Sequence, residues 1–329
     1  MEYRRLGGTD IAISSAAMGC WAIADDTNWG AQDEADSQAT IKAALDAGIN
    51  FFDSAELYGN GRSEVVLGGA LAGLRQQVVI ASKASDRHLA PADIVAACEG
   101  SLRRLQTDYI DLYQLHWANP DIPIADTMGA LQRLQQQGKV RAIGVCNFGA
   151  RDVTELRRIG SCAADQLPYN LLWRAIEFEV LPYCADNDIA VLAYSPLCQG
   201  LLTGKFSSAD EVPEGRARTR HFSNLRPRTR HSEAGREAET FEAVERLRAI
   251  CRQLGRPMAD VAIAWVRQHA VVGSVIVGAR TAQQMRENLR ALDLVLSPQT
   301  VAELDDATDA LKQRLGPNVD MWQSVSRVR

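Results

Sequence analysis

The chain has 329 residues and a mass of 36.0 kDa, with 46% hydrophobic and 23% charged residues, a composition that excludes a wholly disordered protein. Its net charge of −5 gives no reason to expect nucleic acid as a partner, since nucleic-acid-binding surfaces are basic. The first ten residues lack an apolar signal sequence, and the longest nearly apolar run, around 270–279, is too short to span a bilayer. We therefore predict a cytoplasmic protein without membrane insertion.

Seven cysteines are scattered singly along the chain, with no Cys-x-x-Cys pair and no short spacing to histidine. This pattern predicts reduced thiols, no disulfide framework and no bound metal.

Short apolar runs alternate with amphipathic stretches along most of the chain. A hairpin is predicted first, with strands at 3–6 and 11–14 joined by the turn 7–10. Predicted strands follow at 17–21, 51–53, 78–82, 110–116, 140–145, 164–167, 189–194 and 274–277. Helical spacing appears between them, for example at 37–47, 63–71, 91–105, 124–137 and 281–289.

Alternation of strand and helix predicts parallel strands joined by crossover helices. Eight such units in roughly 300 residues favour a closed (β/α)8 TIM barrel of the α/β class. The hairpin would close one end, and an extra helix at 301–311 with a tail would follow. The alternative, a doubly wound sheet, usually carries a glycine fingerprint after an early strand, and the nearest match, at 59–64, lacks the third glycine and a preceding strand. No linker divides the chain, so we predict one domain over 1–329.

Polar residues end three of the predicted strands, and active sites of such barrels lie at the carboxyl ends of the strands. Asp53, Lys83 and His116 each follow an apolar run, and Tyr58 lies five residues beyond Asp53. A neighbouring lysine ammonium is expected to lower the pKa of a tyrosine from about 10, with the aspartate as counter-ion. Each residue alone has a structural explanation, but together they predict general acid catalysis of carbonyl reduction, with His116 orienting the oxygen.

Several further stretches carry a recognisable pattern together with these four residues. They are Gly48-Ile-Asn-Phe-Phe-Asp-Ser-Ala-Glu-Leu-Tyr58-Gly, Ala81-Ser-Lys83, Leu115-His116, Lys139-Val-Arg-Ala-Ile-Gly-Val-Cys-Asn147-Phe, Gln166 with Tyr169-Asn170, Tyr194-Ser-Pro-Leu-Cys-Gln-Gly-Leu-Leu-Thr-Gly-Lys205, and Val277-Gly-Ala-Arg280 with Glu287-Asn288. On these stretches the chain resembles the aldo-keto reductase superfamily from end to end. It is most similar to the bacterial reductases related to potassium-channel β subunits.

The resemblance implies a barrel that binds a nicotinamide cofactor without a Rossmann domain. Tyr58 would be the general acid, Asp53 and Lys83 would tune it, and His116 would position the carbonyl. The nicotinamide would be held by Asn147 and Gln166 at its carboxamide and by Tyr194 stacked on its ring. The pyrophosphate would follow Ser195, Pro196, Leu197, Gln199, Gly200, Leu201 and Lys205. The adenosine end would meet Gly278, Arg280, Gln284, Glu287 and Asn288.

The cofactor preference is expected to depend on Arg280, because a guanidinium binds a 2′-phosphate well. This predicts NADP(H) over NAD(H). Many members of the superfamily have a Lys-Ser pair near this point, where this chain has Gly278-Ala279.

The arginine-rich segment 207–235 has two interpretations. It closes over the cofactor pyrophosphate, or it is a solvated and partly disordered run. Three tryptophans, Trp21, Trp29 and Trp117, follow predicted strands and predict an aromatic-walled substrate pocket, which Trp322 would close. Trp21 and Trp117 could instead belong to the core.

Three functions compete at this point. The first is NADPH-dependent reduction of an aldehyde or ketone to an alcohol. The second is a cofactor-binding redox sensor or regulatory partner protein of the channel-subunit type. The third, independent of the resemblance, is a class I aldolase with a Schiff base on Lys83. The physiological substrate, the favoured direction and the oligomeric state are not encoded in any motif.

Overall fold

The protein is described from a computed structural model that covers residues 1–24, 29–325 and 327–329. An antiparallel hairpin comes first, formed by β1 (Tyr3–Arg5) and β2 (Ala12–Ser14). The parallel strands that follow are β3 (Ala16–Gly19), β4 (Phe51–Asp53), β5 (Val79–Ala84), β6 (Ile110–Leu115), β7 (Val140–Cys146), β8 (Ala164–Pro168), β9 (Ala190–Tyr194) and β10 (Val272–Gly278). They form a closed barrel in the order β10-β3-β4-β5-β6-β7-β8-β9, which confirms the predicted (β/α)8 barrel.

Helices surround the barrel. The α-helices of the described residues are α1 (Glu34–Asp46), α2 (Arg62–Ala70), α3 (Pro91–Leu105), α4 (Ile124–Gln136), α5 (Ala150–Arg157), α6 (Val180–Asp186), α7 (Glu237–Leu254), α8 (Met258–Gln268), α9 (Ala282–Leu289) and α10 (Pro298–Leu315). The predicted extra helix corresponds to α10, which is longer than predicted because Ser297 caps it and Pro298 occupies its first position. None of these helices is long and apolar enough to cross a membrane.

The hairpin closes the amino-terminal end of the barrel. Leu6, Ile11 and Ile13 are almost fully buried and pack in one cluster with barrel side chains such as Phe51 and Leu112. The hairpin position predicted from the sequence is therefore confirmed. The site must lie at the other end, where the strands leave the barrel.

The strand register aligns the carboxyl ends of neighbouring strands. Asp53 of β4 pairs with Ala81 of β5, and Lys83 lies two residues further along β5, opposite Gln114 of β6. His116 directly follows β6, and its backbone N–H donates to the oxygen of Ala84 at 2.9 Å. Parallel pairing therefore carries residues from distant parts of the sequence to one rim.

Candidate active site

A buried lysine–aspartate pair forms the centre of the site. Lys83 Nζ donates to Asp53 Oδ1 at 2.9 Å and Oδ2 at 2.7 Å, and to the backbone oxygen of Ser54 at 2.9 Å. The two side chains are 0% and 3% exposed. Burial alone would lower the pKa of Lys83, but the charge and hydrogen bonds of Asp53, together with smaller contributions from neighbouring groups, raise it above its usual value. Lys83 is therefore an ammonium.

Tyr58 completes this centre, with its hydroxyl 3.2 Å from Lys83 Nζ. The turn that carries it needs glycine at position 59, because φ is 56° there and a Cβ would collide with the backbone oxygen of Ala24. The expectation that the pKa of Tyr58 is lowered is wrong in its net direction. Burial raises the pKa above its usual value and outweighs the opposite effect of Lys83. Tyr58 therefore keeps its proton through the neutral range.

His116 lies beside the tyrosine, with the two ring centroids 5.7 Å apart. Burial lowers the pKa of His116 to about 3, and the positive charges of Lys83 and Arg327 act in the same direction. Its Nδ1 is buried without a hydrogen-bond partner in the described part of the chain. A neutral imidazole has one N–H to donate, so His116 can serve as an uncharged donor to a ligand oxygen.

Two amide side chains connect this centre to the next strands. Asn147, which directly follows β7, donates from Nδ2 to the backbone oxygen of His116 at 3.2 Å and accepts from the Tyr194 hydroxyl at 2.7 Å. Gln166 of β8 donates from Nε2 to Asp53 Oδ1 at 2.7 Å. The structure thus brings the predicted nicotinamide residues together around the Asp53–Lys83 pair.

The segment after β9 has a tightly turned backbone. Four of its residues have left-handed φ angles: Ser195 (53°), Cys198 (46°), Gln199 (56°) and Gly200 (96°). The backbone N–H groups of Cys198 and Gly200 donate within this turn, to the oxygens of Ser195 and Leu197, both at 2.9 Å. The predicted pyrophosphate residues differ in exposure: the side chains of Pro196, Gln199 and Leu201 are buried, whereas Ser195 and Leu197 are half-buried.

Two cationic side chains, Arg216 and Lys205, lie close to Gly200 of this segment. A Cβ on Gly200 would lie 3.5 Å from Arg216 Nη1 and 3.7 Å from Lys205 Nζ. Partial burial lowers the pKa of Lys205, and the charge of Arg216 lowers it further. The residues after β9 therefore suit a polyphosphate, because they combine a glycine, left-handed backbone and two positive charges.

The other arginines of 207–235 have different partners. Arg220 is buried, pairs with Glu233 at 2.8 Å and donates to the backbone oxygens of Asn318 and Leu315. Arg226 pairs with Glu237 at 2.6 Å. These contacts hold the segment against the tail and α7. They disfavour the interpretation of 207–235 as a solvated and partly disordered run.

The residues predicted for the adenosine end lie on α9 and in the segment between β10 and α9. Gln284 Oε1 accepts from the backbone N–H of Arg280 at 2.9 Å, and Asn288 donates to the backbone oxygen of Gly278 at 3.1 Å. Glu287 instead accepts from Gln283, a neighbour on the helix surface.

One of the three predicted pocket tryptophans, Trp21, contacts Tyr58, and a second, Trp29, contacts Trp21. Trp21 stacks on Tyr58 with ring centroids 5.9 Å apart and an interplanar angle of 23°. Trp29 meets Trp21 edge-on at 5.5 Å. Trp117 instead lies under the guanidinium of Arg327, at 3.5 Å from its ring centroid. Both Trp21 and Trp117 are half-buried, and Trp117 packs against the hydrophobic core, so the core interpretation applies in part to Trp117.

The carboxyl-terminal tail contributes residues that the sequence did not single out. Arg327 is held by the buried carboxylate of Asp320, which accepts a hydrogen bond from Arg327 Nε at 2.8 Å. Trp322, the predicted closing residue, interacts with the Tyr194 hydroxyl. Gln32 also reaches the predicted site, where its amide oxygen accepts from Arg280 at 2.9 Å. Both Arg327 and Gln32 were missed from the sequence alone, because no local pattern marks residues that reach the site through loops.

Comparison with known proteins identifies the family of the chain. The sequence model of the aldo/keto reductase family matches residues 17–309. The chain belongs to this family. Similar proteins include the aldo-keto reductase YhdN of Bacillus subtilis, 39% identical over 87% of each chain. An NADH-specific methylglyoxal reductase of Escherichia coli is 35% identical over 95% of this chain and all of that protein. A probable voltage-gated potassium channel subunit beta of rice is 30% identical over 95% and 98% of the two chains.

Solved structures give the same assignment. Glycerol dehydrogenase of Gluconobacter oxydans superposes on this aldo/keto reductase with a TM-score of 0.79, at 32% identity and 96% coverage of each chain. An aldo-keto reductase of Klebsiella pneumoniae in complex with NADPH does so with a TM-score of 0.72, at 31% identity and 96% coverage of each. The chain is thus an oxidoreductase of the aldo/keto reductase family with structural neighbours that bind NADPH.

Proposed function

We propose that this protein reduces aldehydes or ketones to alcohols, with NADP(H) as the preferred cofactor and Tyr58 as the proton donor. The observation that carries the proposal is the hydrogen-bonded series Asp53–Lys83–Tyr58, in which an ammonium lies 3.2 Å from a phenol that keeps its proton. The single-domain organisation over 1–329 and the cytoplasmic location stay predictions from the sequence.

In this proposal each residue acts on the carbonyl oxygen of the substrate. Tyr58 donates its proton to that oxygen, and Lys83 stabilises the phenolate left behind. Asp53 keeps Lys83 charged and fixed in a buried place. His116 donates a second hydrogen bond that orients the oxygen. A bound reduced nicotinamide would supply the hydride that reaches the carbonyl carbon.

The residues present fit such a cofactor along its length. The amides of Asn147 and Gln166 lie at the catalytic end, and the left-handed backbone at 198–200 with Lys205 suits a pyrophosphate. The preference for NADP(H) rests on Arg280, whose guanidinium suits a 2′-phosphate. The Klebsiella structure with NADPH supports this preference, whereas the name of the Escherichia coli relative points to NADH.

The substrate would lie between His116 and the tryptophan pair Trp21 and Trp29. Aromatic faces of this kind suit planar or apolar groups beside the carbonyl. Activated aromatic aldehydes are therefore the first substrates to test.

The alternative of a Schiff base on Lys83 is disfavoured by its contacts. A nucleophilic lysine needs a neutral amine, usually obtained by a lowered pKa. The Lys83 ammonium instead donates to both Asp53 oxygens, and its pKa is raised.

A second candidate function is a cofactor-dependent sensor or regulatory partner, which the 30% identity to the rice channel subunit favours. Such a protein would bind NADPH through the same residues without rapid turnover. Catalysis, rather than cofactor binding, is what separates the two candidates.

The test follows the loss of NADPH absorbance in the presence of an activated aromatic aldehyde. Consumption that depends on the aldehyde supports the reductase. Tight NADPH binding without consumption for a panel of aldehydes and ketones contradicts the reductase and supports the sensor. Absence of NADPH and NADH binding contradicts both.

A further inference from the structure

One edge of the Arg280 guanidinium is occupied by a segment from the opposite end of the chain. Nε donates to Gln32 Oε1 at 2.9 Å, and Nη2 donates to the backbone oxygens of Gly30, at 3.2 Å, and Ala31. Gln32 Nε2 donates back to the Arg280 backbone oxygen at 2.9 Å. Nη1 makes no hydrogen bond within the described part of the chain. The arginine is thus held from one side.

The segment 29–32 that holds Arg280 is anchored at both ends. On one side it continues into α1, where the Asp33 side chain accepts from the backbone N–H of Ala35 at 2.7 Å. On the other side lies Trp29, whose ring contacts Trp21 and lies 5.8 Å from the Arg216 guanidinium. The segment therefore connects Arg280 to the aromatic wall of the pocket.

Holding Arg280 in place before the ligand binds increases its affinity for a phosphate. A free arginine loses much of its rotamer freedom when it clamps a ligand, and this loss weakens binding. An arginine already held by neutral acceptors has lost that freedom before the ligand arrives, and it keeps its full positive charge. Amide and carbonyl oxygens provide such neutral acceptors here, whereas a carboxylate would cancel the charge.

We propose that Gln32 is a positioning residue for the cofactor, which holds Arg280 so that its Nη1 side receives the 2′-phosphate of NADP(H). This inference rests on the proposed function, because it requires that the adenosine end of a nicotinamide cofactor lies at Arg280. It makes Gln32 a determinant of NADP(H) over NAD(H) without a contact of its own to the reacting atoms. NADH has no 2′-phosphate, so its binding is indifferent to Gln32.

The test is a fluorescence titration of the full-length protein with NADPH and with NADH. In Gln32→Ala the Kd for NADPH is expected to rise about threefold to tenfold, the effect of having to order one long side chain on binding. The Kd for NADH is expected to change less than about twofold. Gln38→Ala is the matched control, since Gln38 is exposed on α1 and its side chain bonds only to Glu34 among the described residues.

A second variant, Gln32→Glu, tests whether the acceptor on Arg280 must be neutral. The carboxylate would still accept from Arg280 Nε, but it could not donate to the Arg280 backbone oxygen, and it would offset the guanidinium charge beside the phosphate. The Kd for NADPH is therefore expected to rise at least as much as in Gln32→Ala, with the Kd for NADH again unchanged.

Three outcomes would overturn the inference: equal losses for both cofactors, unchanged NADPH binding in both variants, or tighter NADPH binding in Gln32→Ala. The last would mean that Gln32 competes with the phosphate rather than preparing its site. If the unmodified protein binds neither cofactor, the proposed function itself fails, and this result is seen before any variant is compared.

Discussion

The two positively charged residues Lys83 and Arg280 are held in opposite ways. Lys83 is fully buried, faces a carboxylate and lies on a barrel strand whose register fixes its neighbours. Arg280 is half-buried, faces neutral oxygens and is held by a loop 248 residues away in sequence. Burying Lys83 removes its charge from water, so its stability depends on the Asp53 counter-ion. Arg280 has no carboxylate partner among the described residues, so its charge stays available for a ligand.

The loss of each contact should therefore affect a different property of the protein. Removing the partner of a buried charge destabilises the fold, because the charge left behind cannot reach water. Removing a half-exposed arginine destabilises the fold less and acts mainly on ligand binding. The predictions below test that division.

The largest effect on stability is expected for Asp53→Ala. The variant leaves the Lys83 ammonium buried without its counter-ion, and we expect a loss of about 3–5 kcal/mol in the free energy of unfolding. Urea unfolding monitored by circular dichroism measures it. Asp46→Ala, which breaks an exposed pair with Lys42, is the control and should cost less than about 1 kcal/mol. Similar losses in the two variants would contradict the structural role given to the buried pair.

A smaller and different effect is expected for Arg280→Ala. The Kd for NADPH should rise about tenfold to a hundredfold, because a charge-assisted contact to phosphate is lost. The free energy of unfolding should fall by only about 1 kcal/mol, less than in Asp53→Ala, because the hydrogen bonds lost to Gln32, Gly30 and Ala31 are part-exposed. Fluorescence titration and urea unfolding of the same preparation check both statements. Equal losses for NADPH and NADH would remove Arg280 from the 2′-phosphate site.

The same division explains what the sequence could predict. The strand 51–53 was predicted with the bounds that the structure has, and Lys83 and His116 could be placed at the rim because apolar runs end there. The contact between Gln32 and Arg280 has no sequence signal, since it joins two loops through a single pair of side chains. The pKa direction of Tyr58 was missed because burial depends on packing around the ring, which local sequence does not encode.

The smallest effect is expected from pH. The pKa of His116 is about 3 and that of Tyr58 lies above its usual value of about 10, so neither group changes its charge from about pH 5 to about pH 9. Reduction requires protonated Tyr58, and its rate should fall only as the pH rises through the tyrosine pKa. We expect kcat at saturating NADPH to vary less than about twofold over this range. An inflection near pH 6.5 that disappears in His116→Gln would contradict a neutral His116.

The most direct test of the account compares turnover and cofactor affinity in Tyr58→Phe. This change keeps the aromatic ring against Trp21 and removes only the hydroxyl that lies 3.2 Å from Lys83. The account predicts that aldehyde reduction falls by about 10²–10⁴-fold while the Kd for NADPH stays within about twofold. Turnover equal to that of the unmodified protein would contradict the assignment of Tyr58 as the proton donor.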